Sequence, residues 1–79
     1  MRLDKFLKVS RLIKRRTVAH DAAEAGRVTV NGKEVKPSHP VKPGDILELG
    51  FGQRILKVEI TEIREVVRKD EASAMYREL

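Results

Sequence analysis

The chain has no cysteine and no tryptophan in its 79 residues. The first absence excludes disulfides, thiolate metal sites and a cysteine nucleophile, and it is compatible with a reducing cytosol. Its only aromatics are Phe6, Phe51 and Tyr76. All three are expected in packing roles, and so few rings argue against sequence-tolerant binding of single strands, which relies on aromatic platforms. No apolar run approaches the roughly 18 residues of a membrane span. The basic N-terminus is not followed by the apolar segment of a signal peptide. These features lead to the expectation of a complete, soluble, cytoplasmic protein with no membrane association. The sequence contains no nucleophile–base pair, no phosphate-cradling glycine-rich loop and no dinucleotide fingerprint, so no enzymatic activity is expected. His20 and His39 are far apart and lack a spaced carboxylate pattern, so neither a metal nor another cofactor is expected.

What is abundant is positive charge, unevenly placed. Residues 1–36 hold ten Lys/Arg against four Asp/Glu, whereas residues 37–79 hold seven against eight. The segment RLDKFLKVSRLIKRR, residues 2–16, has seven cations and a single acid, Asp4. An excess concentrated in half the chain points to a polyanionic partner, whereas a dispersed one would mostly serve solubility. Nucleic-acid backbones attract such clusters through counterion release, and arginine can bridge phosphate oxygens bidentately.

The periodicity predicts a small α+β domain, and a chain of this length has room for one modest core. At about 100° per residue, Leu3, Phe6, Leu7, Ser10 and Ile13 share one arc of a first helix, which should end or kink near Ser10 to Ile13. Arg2, Lys5, Lys8, Arg11, Arg15 and Arg16 fall opposite. Thr17 is expected to N-cap a second helix over about Val18 to Ala25, with Val18, Ala19, Ala22 and Ala23 as a small-residue face and Gly26 as its positive-φ stop. Lys14-Arg15-Arg16 then places three cations beside a helix N-terminus, itself an anion-attracting end. VTVNGKEV reads as a hairpin turning at Asn31-Gly32. Pro43-Gly44 is a turn, Ile46–Leu49 a strand, Phe51-Gly52-Gln53 a connector and Arg54–Ile63 a further strand. Lys69–Leu79 carries Ala72, Met75, Tyr76 and Leu79 at helical spacing. The fold expected is therefore two N-terminal helices packed on a small, mostly antiparallel sheet with a short C-terminal helix. Residues 1–66 would form the domain and residues 67–79 a helical extension.

RLDKFL, the run T-x-A-x-x-A-x-x-G-R-V-x-V-N-G from Thr17 to Gly32, and VKPGD at 41–45 together resemble the RNA-binding domain named after ribosomal protein S-four, the alpha-L motif. The likeness covers about residues 1–50. With no catalytic domain following, the chain resembles the stand-alone members of the heat-shock protein 15 family, in particular their short Gram-positive forms in ribosome-associated quality control. That resemblance implies a protein that binds large (50S) ribosomal subunits carrying peptidyl-tRNA, contacts large-subunit rRNA and P-site tRNA, and works beside an RqcH/NEMF-type factor in alanine tailing. It implies backbone contacts from Arg16, then Arg2, Lys5, Lys8, Arg11, Lys14 and Arg15. It also implies an RNA-facing Asp4 and a Thr17 that caps the helix and touches phosphate. His20, Lys33 and Lys36 are further candidates, and a monomer is expected. For Asp4 the sequence alone also allows a helix-dipole role or pairing with Lys8.

Two other functions fit the same composition. One is the recognition module of an rRNA-modifying enzyme such as a pseudouridine synthase. The other is a basic amphipathic segment that binds an acidic membrane or a partner helix. DNA binding is a lesser variant, since no base-reading recognition helix is evident.

Overall fold

The apolar arc of the opening segment organises the core. In the computed structural model, which describes residues 1–79, helix α1 spans Leu3–Val9. Leu3, Phe6, Leu7, Ser10 and Ile13 are all buried. The helix stops at Ser10, whose hydroxyl donates to the Leu7 carbonyl at 3.3 Å. Arg11 then adopts a left-handed conformation, φ 64°, where an L side chain is crowded at a cost of about 1–2 kcal/mol. This turn returns Ile13 to the core, and its amide donates to the Leu7 carbonyl at 3.0 Å.

Helix α2 spans Arg16–Glu24 and buries Ala19 and Ala23. It starts two residues earlier than the Thr17 cap predicts. Arg15 is the extended N-cap residue, and no side chain caps this end. Capping preference is a weak local bias, and the phase of the buried alanines sets the helix instead. The same phase leaves Val18 exposed, so the small-residue face is narrower than expected. Gly26 ends the helix at φ 74°. Its amide donates to the Ala23 carbonyl at 3.1 Å and that of Arg27 to Ala22 at 2.9 Å, the paired bonds of a Schellman stop.

Five strands follow: β1 Val28–Val30, β2 Lys33–Glu34, β3 Ile46–Phe51, β4 Arg54–Ile60 and β5 Tyr76–Glu78. They form one sheet in the order β2-β1-β3-β4-β5, with every neighbouring pair antiparallel. Asn31 and Gly32 both take positive φ, as a type I′ hairpin requires. The Asn31 amide group also ties this hairpin to the start of β3. It donates to Asp45 Oδ1 at 3.1 Å and accepts from the Ile46 amide at 2.9 Å. Alternation on the pleat turns Val28, Val30, Leu47, Leu49, Val58 and Ile60 toward the helices, and all six are buried.

The expected α+β class and helix-on-sheet arrangement are present, but the C-terminal part differs in detail. Its helix is a single 3-10 turn, Ala72–Met75, and the chain then becomes edge strand β5 beside β4. Helical spacing could not reveal this, because the backbone groups of β4 offer the segment a partner that no isolated helix has. Ala72 and Met75 still reach the core. Strand β4 ends at Ile60 rather than Ile63. Phe51, expected to pack, is 45 % exposed because the tip of the β3–β4 hairpin runs beyond the buried part of both strands.

Candidate nucleic-acid interface

Asp4 lies at the centre of the basic face. It sits in the first turn of α1, and its side chain is only 2 % exposed. A buried carboxylate needs partners to offset its desolvation, and it has three. Arg2 Nε and Nη2 donate to its two oxygens at 3.1 and 3.0 Å, a fork-to-fork pair. The Lys5 amide donates to Oδ1 at 2.8 Å. Arg16 Nη2 lies 3.6 Å from the same oxygen. Asp4 therefore clamps Arg2, which N-caps α1, to Arg16, the first residue of α2. Lys8, the i+4 alternative, is not among its partners. The two arginine side chains remain 49 % and 47 % exposed. They are held from within and free to bind from without.

The fold of this corner follows from local bonds. Arg2 bridges to Pro40 in antiparallel fashion. The amides of Leu3 and Asp4 donate to the carbonyls of His39 and Pro37 at 2.8 and 3.1 Å. These bonds satisfy amides that a helix start otherwise leaves open and fix α1 to the proline loop. Helix α2 has no acid in its first turn. Instead Arg15 and Arg16 stand where the helix dipole disfavours cations. A cation pair against the dipole is poor for the isolated helix, and with the helix amides it forms an end suited to an anion.

The structure sorts the candidate residues into two hollows. Arg2, Asp4, Arg16, Thr17, His20 and Asp21 line one of about 360 Å³. Lys5, Lys8, Arg11, Lys14 and Arg16 line a larger groove of about 930 Å³. Arg16 belongs to both. Arg15 is exposed next to them. His20 Nδ1 lies 3.6 Å from Asp21 Oδ1 on the rim. Lys33 and Lys36 are not brought into either hollow. Lys33 lies on edge strand β2, and Lys36 lines a separate depression beside Gly26 and Glu34. Thr17 lines the smaller hollow, without the capping role.

The far wall of the large groove escaped the sequence reading. Glu65, Val66, Val67 and Lys69 face α1 across it. Lys5 Nζ donates to Glu65 Oε2, 60 residues on in sequence. That bond, with the lysine's charge, holds the Glu65 carboxyl below its usual pKa. The second half of the chain has a net charge near zero, which hid Lys69. Ile63 and Val67, four residues apart and both packed on the core, were the available signal that this segment is anchored.

Two helices laid on one face of a five-stranded antiparallel sheet, with an arginine pair held by a buried carboxylate, define a small α+β domain class. Residues 1–47 match the S4 domain family. Over 76 residues the chain is 60 % identical to the RQC P-site tRNA stabilizing factor of Halalkalibacterium halodurans, covering 96 % of this chain and 86 % of that protein. It is 54 % identical to the factor of the same name from Bacillus subtilis, covering 96 % and 88 %. The trimeric structure of Vibrio cholerae heat shock protein 15 superimposes with a TM-score of 0.93 at 36 % identity, over all of this chain and 81 % of that one. The chain thus belongs to the S4-domain family of RQC P-site tRNA stabilizing factors.

Proposed function

We propose that this protein acts in ribosome-associated quality control, binding stalled large ribosomal subunits that carry peptidyl-tRNA. It contacts large-subunit rRNA and the P-site tRNA, and it supports alanine tailing of the nascent chain with an RqcH/NEMF-type factor in the cytoplasm. The observation that carries this reading is the Asp4 clamp. One buried carboxylate presents Arg2 and Arg16 together, half exposed, in a hollow that shares Arg16 with the large cationic groove, in a chain closely related to factors named for stabilising P-site tRNA.

The mechanism is one of selective binding. Arg2, Arg16, Lys5, Lys8, Arg11, Lys14 and Arg15 neutralise backbone phosphates, and the fixed spacing of the two hollows favours a folded RNA of matching shape. Thr17 and His20 lie at the rim of the arginine hollow. Asp4 acts by holding the arginines. Lys33 and Lys36 offer at most outlying contacts. The protein performs no bond chemistry itself. Peptide transfer belongs to the ribosome, and the factor shifts which tRNA state is occupied by binding that state better. One chain supplies the whole face, so a monomer suffices. Coverage of 86 % and 88 % of the two related factors argues against their being modules of larger modifying enzymes.

Cosedimentation with purified large subunits carrying peptidyl-tRNA tests the reading. Arg16→Ala should bind about ten-fold more weakly at physiological salt, as expected for losing one charge-assisted hydrogen bond of about 1.5 kcal/mol. Its fold should be unchanged. Equal recovery of the variant and the wild type would refute the role assigned to this face.

A further inference from the structure

The large groove has one feature that RNA binding does not require. It contains an acid. Lys5, Lys8, Arg11, Lys14, Arg16 and Lys69 line it, and Glu65 enters from the far wall to pair with Lys5. The carboxylate is well exposed, at 67 %, so burial does not hold it there. The segment also does not depend on this ion pair for its position. Ile63 and Val67 pack against the core, and Arg64 pairs with Glu62 and Glu71 at 3.1 Å each. Glu65 is thus a freely displaceable anion carried on an anchored wall, in contact with a lysine of α1.

We infer that Glu65 occupies a phosphate subsite: a backbone phosphate of the bound RNA takes its place on Lys5, and residues 64–69 form a second wall of the RNA-binding groove, beyond the S4-matching residues. The chemistry of exchange is simple. A carboxylate and a phosphate each offer anionic oxygens to an ammonium donor, and a surface ion pair is weak enough to be released. Glu65 then acts as a brake. It lowers affinity for polyanions that only graze the groove, and it yields to an RNA whose shape sets a phosphate on Lys5. Lys69, on the same wall, supplies a cation to that strand.

This inference rests on the RNA-binding reading above, and its test separates the two. Fluorescently labelled bulk tRNA is titrated with the wild type, Glu65→Gln and Lys5→Gln, singly and together, across a salt series. Glu65→Gln should bind about three-fold more tightly, in line with the small worth of an exposed pair, with a salt slope steeper by up to about 0.7–0.9, because no released carboxylate takes up a cation to offset the counterion that the Lys5 phosphate sheds. Lys5→Gln should cost more affinity in the Glu65→Gln background than in the wild type, because only there is Lys5 unpaired in the free protein. Weaker binding by Glu65→Gln would mean that the pair merely props up the wall, and it would overturn the inference. Unchanged affinity and slope would overturn it too. If the wild type itself binds no tRNA under any salt condition, the broader RNA-binding reading fails first. Matching thermal unfolding curves for Glu65→Gln and the wild type keep the comparison clean.

Discussion

Replacing Asp4 with asparagine sets two physical effects against each other. The substitution removes an acid from a cationic face, so charge counting alone predicts tighter RNA binding. The structure predicts the reverse. Asp4 is 2 % exposed and receives two bonds from Arg2 and one from the Lys5 amide, with Arg16 at 3.6 Å. Asparagine is nearly isosteric, but it turns one acceptor into a donor aimed at a guanidinium. Freeing each arginine adds about 0.5–1.5 kcal/mol of ordering cost on binding. For two arginines this is about 2 kcal/mol, or roughly a thirty-fold loss of affinity. The opposing gain from one fewer acid is worth less than about 1 kcal/mol near a solvated surface, so positioning wins. Stability should fall as well. Weakening charge-assisted bonds to a buried carboxylate costs about 2 kcal/mol, less than a fully buried pair because the arginines are half solvated. In a domain this small the melting temperature should drop by about 10 °C. The assays are thermal unfolding by circular dichroism and titration of labelled tRNA at fixed salt. Equal or tighter binding by Asp4→Asn with an unchanged melting temperature would refute the clamp.

Two further substitutions probe the elements that support this face. Arg11→Gly relieves the left-handed residue at φ 64° and should raise stability by up to about 1 kcal/mol, while removing one groove cation and weakening RNA binding a few-fold. A variant that gains stability without losing affinity would show that Arg11 does not touch RNA. Gly26→Ala forces a Cβ onto a residue at φ 74° and into the Glu34 carboxylate. It should destabilise the domain by about 1–2 kcal/mol, visible as a lower urea midpoint, and leave RNA affinity per folded molecule unchanged.

Much of the architecture was legible in local sequence. The spacing of Leu3, Phe6, Leu7, Ser10 and Ile13 defined the buried side of the first helix and where it stops. Gly26 and Asn31-Gly32 marked backbone positions that need positive φ. Alternating valines and leucines marked the strands that cover the helices. Each of these is a preference expressed within a few residues, so the chain itself records it. Concentration of cations in residues 2–16 likewise announced a cationic face, because charge is a property of composition.

The rest required distance in sequence to become proximity in space. Tyr76–Glu78 became a strand because the open edge of β4 had hydrogen-bonding groups to share, which helix-forming composition cannot register. Thr17 lost its cap because packing of Ala19 and Ala23 set the start of α2. Glu65 met Lys5, and Lys69 joined the groove, only through the anchoring of Ile63 and Val67 on the core. By itself the sequence determined that two helices open the chain, the turns at Gly26 and Asn31-Gly32, the buried side of the first helix and of the central strands, and the sign of the charge, all of which rest on near-neighbour geometry. Tertiary structure alone decided which cations act together, that Asp4 holds two arginines from different helices, and that an acid sits among the lysines. Those are matters of placement through space, and electrostatic coupling follows distance between groups rather than distance along the chain.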